Sequence, residues 1–120
     1  MNTTILVIED DPIWQKVYYL SFKQSANILQ ATNLVDAEAI FLENPGINLI
    51  VIDGYLGETI LNTLPLIKKL RETFKGEIIA VSTDEDSRTR MVAAGCSSQV
   101  DKNDSVPFIE RYLHLQLQNS

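Results

Sequence analysis

The sequence has little of what secreted and membrane proteins require. It contains one cysteine in 120 residues, so no disulfide can form within the chain, which agrees with a reducing compartment. No apolar run approaches the roughly 18 residues that span a bilayer. The first residues also lack the basic segment that opens a secretory signal. We therefore expect a cytoplasmic protein that does not bind a membrane, in which Cys96 is a small packing residue.

Basic residues are also scarce. Ten lysines and arginines stand against 16 aspartates and glutamates, a formal net charge of -6. A nucleic-acid-binding surface requires clustered positive charge. The densest basic group, Lys68, Lys69 and Arg71, is interpreted as the solvated face of a helix. We therefore expect no direct contact with nucleic acid.

The length of the chain fits one domain. It is long enough to bury a core but too short for a catalytic domain with a cap. The composition, 45% hydrophobic and 22% charged, is ordinary for a globular protein. Internal repeats, low-complexity tracts and linkers are missing. We expect a single domain over residues 1–120, with no output domain visible.

Apolar runs rich in β-branched residues alternate with segments of helical periodicity. This alternation is typical of a parallel sheet covered on both faces. Five βα units in this order can wind as a flavodoxin-like, doubly wound α/β fold with strand order 2-1-3-4-5. The strands are predicted near residues 4–8, 28–32, 48–53, 77–82 and 97–101.

The first helix has the clearest start. Asp11 can accept hydrogen bonds from the free N–H groups of the first turn, and Pro12 stands where no N–H is needed. Ile13, Val17 and Leu20 then recur at helical spacing, which predicts the buried stripe.

Capping residues predict the bounds of the other helices. Asn62 is chosen as the third N-cap because Pro65 then falls in the first helical turn, where proline is tolerated. The remaining predictions are a second helix over 34–43, a fourth that starts at Asp86 or Ser87 and ends at Gly95, and a fifth that starts at Asp104 or Ser105 and turns Ile109, Leu113 and Leu117 to the sheet.

Acidic residues follow two of the predicted strands. Glu9, Asp10 and Asp11 come directly after the first strand, and Asp53 ends the third. These strands are neighbours in the predicted order, so their acids meet at the carboxyl edge of the sheet, where open α/β folds place their sites. Carboxylates that lie so close need a divalent cation or a proton between them. The sequence therefore predicts an acidic, metal-binding pocket.

Five short motifs occur in order along the chain. They are Ile-Glu-Asp-Asp-Pro at 8–12, Val-Ile-Asp at 51–53, Val-Ser-Thr at 81–83, Ala-Ala-Gly at 93–95, and Lys102 at the end of the fifth strand. The set resembles the receiver domains of response regulators, of the chemotaxis-regulator type, which are the phosphoacceptor half of two-component signalling. The resemblance extends over essentially the whole chain.

The resemblance implies a Mg²⁺ site. By analogy with the family, Asp10 and Asp53 bind the metal directly, the backbone carbonyl of Tyr55 supplies a further ligand, and Glu9 holds a metal-bound water. Mg²⁺ suits such a site, since it prefers oxygen ligands and retains several waters.

The resemblance also implies phosphoryl transfer. Asp53 would be the phosphoacceptor, taking its phosphoryl group from a histidine of a sensor kinase or of a histidine phosphotransfer protein. Ser82 would offer a hydroxyl to that group and Lys102 a positive charge. Such a domain is not an enzyme with a separate substrate, because it catalyses only its own phosphorylation and slow dephosphorylation. An unknown downstream target would bind the 84–117 face.

Several residues depart from the family pattern. Gln99 replaces the aromatic residue that usually switches rotamer, and Asn103 replaces the proline after the lysine, so we expect a trans peptide there. Tyr55 and Asp84 occupy positions that resemble the family's rate-tuning sites. Trp14 is expected to pack in the core, although it could lie near the pocket.

Three other functions are compatible with parts of the sequence. A haloacid-dehalogenase-type phosphatase needs a second aspartate at position 55, where tyrosine stands. A flavodoxin-like FMN module would be repelled by the acids at 9–11. A pseudo-receiver, an interaction module that works without phosphorylation, stays open.

Overall fold

A computed structural model of the chain describes residues 3–118, with side chains to residue 115. The five strands are Thr3–Ile8 (β1), Ala26–Ala31 (β2), Leu49–Asp53 (β3), Glu77–Ser82 (β4) and Ser98–Asp101 (β5). The five α-helices are Pro12–Phe22 (α1), Leu34–Glu43 (α2), Leu64–Thr73 (α3), Glu85–Ala94 (α4) and Ser105–Gln118 (α5), and a 3₁₀ turn at Lys102–Asp104 precedes α5. In the part of the chain so described, no helix is both long and apolar enough to cross a membrane.

The strands form one parallel sheet in the order β2-β1-β3-β4-β5. The predicted flavodoxin-like order is therefore confirmed, and each predicted strand lies within two residues of an observed one. The register pairs Ile8 with Ile52, Asp53 with Val81 and Ser82 with Asp101. The ends of β1, β3, β4 and β5 are consequently level at the carboxyl edge.

Alternate strand residues face opposite sides of the sheet, as the period of two requires. One side packs against α2, α3 and α4, and the other packs against α1 and α5. Every residue of β3 is buried, which explains its unbroken apolar run before the terminal aspartate. The buried strand residues of the first side are Leu6, Ile8, Ala31, Ile50, Ile52, Ile78 and Ala80, and those of the second are Ile5, Val7, Leu49, Val51, Ile79 and Val81.

The buried face of α1 differs from the prediction. Ile13 and Leu20 are 71% and 52% exposed, and Val17 is only partly buried. Tyr18 and Phe22 fill the core instead, with their rings stacked 6.2 Å apart. The predicted buried face was wrong because the rings of Tyr18 and Phe22, on the adjacent face of α1, bury more apolar surface than the aliphatic residues would.

The N-cap predictions succeed for α1 and fail for α3. Asp11 Oδ1 accepts from the Ile13 amide at 2.8 Å. At α3 the cap position is Thr63, without a side-chain cap bond. Asn62 instead pairs with the backbone of Leu56, accepting from its N–H at 2.8 Å and donating to its carbonyl at 2.9 Å. Asn62 therefore closes the β3–α3 loop.

The start predicted for α4 is also wrong. Asp84 is the N-cap, and its Oδ2 accepts from the Ser87 amide at 3.0 Å. The end is correct, because Gly95 has a φ of 140° that favours glycine. Helix α5 begins at Ser105, one of its two predicted starts. Its residues Ile109 and Leu113 are buried as predicted, and the side chain of Leu117 lies outside the described residues.

Arg71 is not part of a solvated helix face. Its guanidinium donates to the carbonyls of Gly95, Phe74 and Gly76 at 2.8, 2.8 and 2.9 Å, and to Ser97 Oγ at 2.8 Å. The side chain therefore fastens the end of α3 to the end of α4 and to the start of β4.

Cys96 is buried, as predicted, and we expect its thiol to be unreactive in the native protein. Burial raises its pKa to about 12, which lowers the thiolate fraction by roughly a thousandfold from an ordinary thiol. Labelling with a chromogenic disulfide reagent at mildly alkaline pH should be at least about 100-fold slower in the native state than in guanidinium. Equal rates in both solvents would contradict this assignment.

Candidate functional site

An acidic cleft of about 540 Å³ lies at the carboxyl edge of the sheet. Its walls come from the ends of β1, β3 and β4, and from Lys102 just after β5. All the residues predicted for the site line it. The lining residues are Glu9, Asp10, Asp11, Pro12, Asp53, Tyr55, Glu58, Ser82, Thr83 and Lys102.

Lys102 joins the two buried carboxylates of the cleft. Its Nζ lies 2.6 Å from Glu9 Oε1 and 2.7 Å from Asp53 Oδ2. Glu9 and Asp53 are only 2% and 6% exposed. The contact with Glu9 is ionic rather than a well-directed hydrogen bond. The ammonium also lies 5.3 Å from the centre of the Trp14 ring, so this tryptophan borders the site as well as the core.

The main chain of Lys102 is held by hydrogen bonds, although Asn103 rather than proline follows it. Ser105 Oγ donates to the Lys102 carbonyl at 2.7 Å. Tyr18 Oη lies 2.8 Å from the same hydroxyl, and it is the donor because the Ser105 proton is already used. Across the described residues every peptide bond is trans, as expected for Asn103. Two buried hydroxyls thus fix the turn that carries Lys102.

The electrostatics of the cleft show a surplus of negative charge. Burial, and then the charge of Asp53, raise the pKa of Glu9 to about 7. Burial opposes the charge of Lys102, but its contacts with the carboxylates of Asp53 and Glu9 outweigh that effect, and its pKa is raised. The carboxylates predicted for the site, on Glu9, Asp10 and Asp53, thus outnumber the ammonium of Lys102.

Asp10 does not join the cluster formed by Glu9, Asp53 and Lys102. It is exposed, and its Oδ2 accepts from the Gly57 amide at 3.0 Å. Among residues 3–118, no three acidic, histidine or cysteine side chains are gathered closely enough to hold a metal ion. The predicted ligands therefore share one cleft without forming a preassembled cage.

The donor chemistry nevertheless suits a hard divalent cation. Glu9, Asp10 and Asp53 offer carboxylate oxygens, and Tyr55, whose carbonyl was predicted as a ligand, also lines the cleft. The lining holds five carboxylates and one lysine ammonium. Oxygen donors and an excess of negative charge are compatible with Mg²⁺.

The two residues predicted to tune reaction rate are connected to each other. Tyr55 donates its backbone N–H to Asp53 Oδ1 at 2.8 Å, and its hydroxyl lies 2.5 Å from Ser87 Oγ. Ser87 in turn donates to Asp84 Oδ2 at 2.6 Å, and its hydrogen bonds lower the pKa of Asp84. The wall of the cleft beside Asp53 is therefore bonded to the first turn of α4.

Gln15 is a supporting residue that the sequence analysis missed. Its buried side-chain amide donates to the carbonyls of Val7, Glu9 and Ala31 at 3.2, 3.0 and 3.0 Å. Gln30 donates to Gln15 Oε1 at 2.8 Å. The amide thereby fixes the backbone on which Glu9 stands. The only sequence feature that could have indicated this role is the position of Gln15 between Ile13 and Val17 of the predicted apolar stripe.

Solved structures with the same fold include receiver domains of response regulators. A two-component response regulator from Clostridium difficile has a TM-score of 0.84 at 18% identity, covering 98% of this chain and 97% of that one. The BeF3-activated receiver domain of RstA from Klebsiella pneumoniae has a TM-score of 0.79 at 18% identity, covering 94% and 97%.

A third match is the co-crystal structure of the Saccharomyces cerevisiae histidine phosphotransfer protein Ypd1 with the receiver domain of its response regulator Ssk1. Its TM-score is 0.77 at 18% identity, covering 93% of this chain and 86% of that one. No protein-family model matches the sequence, and no curated protein matches it. The structural similarity shows that this chain has the receiver-domain fold of response regulators.

Proposed function

We propose that the chain is the phosphoacceptor receiver domain of a two-component response regulator, with Asp53 as the acceptor. The observation that carries the proposal is the Lys102 ammonium, which bridges Asp53 and Glu9 inside the cleft at 2.7 and 2.6 Å. A carboxylate so placed lines the cleft and has a positive charge beside it that can pair with a phosphoryl oxygen.

The proposed reaction transfers a phosphoryl group from a phosphohistidine. An oxygen of Asp53 attacks phosphorus, a P–O bond forms, and the P–N bond of the donor breaks. The bond electrons pass to the imidazole nitrogen, and the released histidine takes its proton from solvent. Lys102 then pairs with one oxygen of the phosphoryl group. The hydroxyl of Ser82, which is buried at the end of β4, donates to the same group.

Mg²⁺ belongs to this proposal. Asp10, Asp53 and the Tyr55 carbonyl would hold it, with Glu9 acting through a bound water. When bound, it supplies the positive charge that stabilises the transferring oxygens and neutralises the acids. Asp10 must exchange its contact with the Gly57 amide for the cation, and that contact is exposed.

The proposed phosphoryl donor is a sensor histidine kinase or a histidine phosphotransfer protein, in the cytoplasm. The Ssk1 receiver, which has the same fold, was solved with such a phosphotransfer protein. The proposed output is a changed 84–117 face that binds a downstream target.

Intact mass spectrometry after incubation with acetyl phosphate and Mg²⁺ tests the acceptor. We expect wild type to gain one phosphoryl group and Asp53→Ala to gain none. EDTA should prevent the gain. Asp86→Ala removes an exposed carboxylate of α4 outside the cleft and should behave as wild type. Failure of wild type to gain the group, with phosphoramidate as well, would overturn the proposal.

One observation favours the pseudo-receiver as a second candidate. Lys102 already engages Glu9 and Asp53, and Asp10 is bound to Gly57, so the cleft is closed on itself without a ligand. In that case neither phosphodonor nor Mg²⁺ should change the fluorescence of Trp14, which lies beside Lys102.

A further inference from the structure

Arg88 connects three elements at the edge of the cleft. It lies in α4, and only 13% of its side chain is exposed. Its Nη1 donates to the Ser82 carbonyl at 2.7 Å, and its Nε donates to Gln99 Oε1 at 3.2 Å. Nη1 also lies 3.7 Å from Asp101 Oδ2. The guanidinium therefore joins the ends of β4 and β5 through a single side chain of α4.

The contact with Ser82 is the strongest of the three. It is short and charge-assisted, whereas the Asp101 pair is longer and partly exposed. The Ser82 hydroxyl accepts from the Asp84 amide at 3.1 Å. Ser82 is thus held from two sides, by Arg88 at its carbonyl and by Asp84 at its hydroxyl.

Gln99 acquires a specific role in this arrangement. The carbonyl oxygen of the Gln99 side chain accepts a hydrogen bond from Arg88 Nε, which the ring of a phenylalanine could not do. Because the guanidinium is planar, a partner at Nε fixes the direction in which Nη1 points. Gln99 therefore orients the group that holds Ser82.

We propose that Arg88 is a positioning residue for Ser82, with Gln99 as its orienting partner. The proposal rests on the phosphoacceptor function, in which Ser82 contacts the phosphoryl group. Movement of Ser82 toward that group pulls on the Arg88 guanidinium and carries the change to α4 and β5. The hydrogen bonds of Arg88 to Ser82 and Gln99 thus take the place of the aromatic rotamer change usual at position 99.

The rate constant of phosphorylation by acetyl phosphate with Mg²⁺, followed by intact mass, tests this role. We expect Arg88→Met to lower it about tenfold, the size expected for one lost charge-assisted hydrogen bond. Arg90→Met, on the exposed side of the same helix, is the matched control and should match wild type. Gln99→Met should lower the rate about threefold and have no further effect in Arg88→Met.

A double-mutant cycle separates positioning from a merely structural contribution. In the Ser82→Ala background, Arg88→Met should change the rate less than about twofold, because no hydroxyl is left to misplace. An equally large effect in that background would show that Arg88 acts on the fold, and the proposal would be wrong.

Two further outcomes are decisive. Phosphorylation of Arg88→Met and Gln99→Met at the wild-type rate overturns this role of Arg88 and leaves the acceptor function intact. A wild-type protein that takes no phosphoryl group overturns the acceptor function, and this proposal falls with it. Gln99 is exposed, so its variant remains informative if Arg88→Met does not fold.

Discussion

Replacing Arg71 with methionine is expected to lower the free energy of unfolding by about 2–4 kcal/mol. Methionine keeps most of the aliphatic stem but removes all the donors. The carbonyls of Phe74, Gly76 and Gly95 would each lose a hydrogen bond of 2.8–2.9 Å to a charged group. Water replaces only part of that loss, because these groups are half-buried.

Urea denaturation monitored by circular dichroism measures the change. Lys68→Met, one turn earlier on the exposed side of α3, is the matched control and should stay within about 0.5 kcal/mol of wild type. Arg71→Lys should recover only a small part of the loss, because an ammonium cannot bind several divergent acceptors in the same fixed geometry. A loss for Arg71→Met no larger than that of the control would show that the arginine contacts do not stabilise the fold.

Arg71 also shows where local sequence patterns stop being informative. The order of strands and helices could be predicted because a parallel sheet requires each strand to be apolar and each crossover to be helical. The acids of the site could be predicted because the end of a strand fixes the edge at which its next residue lies. The partners of Arg71 are 24 residues ahead at Gly95 and in the turn after α3, and no period of the sequence encodes such contacts.

The errors on α1 and α3 have a similar origin. Gln15 was given no role and Asn62 was predicted as a cap, yet Gln15 is buried under strand carbonyls and Asn62 closes a loop on Leu56. Each satisfies backbone groups that would otherwise be buried without partners. Which backbone groups need a partner depends on tertiary packing, so the sequence alone does not reveal it.

That the predicted side chains lie in one cleft followed from the sequence, but their contacts within it did not. The structure places Lys102 in contact with both Glu9 and Asp53, and Ser82 and Tyr55 in the same cleft. The Asp10 carboxylate lies apart from them and accepts a hydrogen bond from the Gly57 amide. The direction of an exposed carboxylate depends on the loop opposite, here the one that carries Gly57, and no local sequence pattern encodes that contact.

Glu9 makes the stability of the metal-free protein depend on pH. Burial and the charge of Asp53 raise the pKa of its carboxyl from 4.5 to about 7. The native state therefore holds this proton more tightly than the unfolded chain. The resulting stabilisation is fully present below about pH 4.5 and is lost as the pH rises through about 7.

The expected result is a stability difference between wild type and Glu9→Gln that changes with pH. From about pH 5 to about pH 8, in EDTA, the free energy of unfolding of wild type should fall by roughly 2–3 kcal/mol relative to Glu9→Gln. The glutamine cannot ionise, and it keeps the shape of the side chain. Urea denaturation at both pH values gives the difference.

Glu58→Gln, at an exposed glutamate of the same cleft, is the control and should keep the same difference from wild type at both pH values. Mg²⁺ adds a second comparison at about pH 8, because a cation that binds only the folded state stabilises it. That gain should be larger in wild type than in Glu9→Gln, which offers the cation one negative charge fewer. A wild-type curve parallel to that of Glu9→Gln would show that burial of Glu9 does not oppose its ionisation, and the electrostatic account of the cleft would then be wrong.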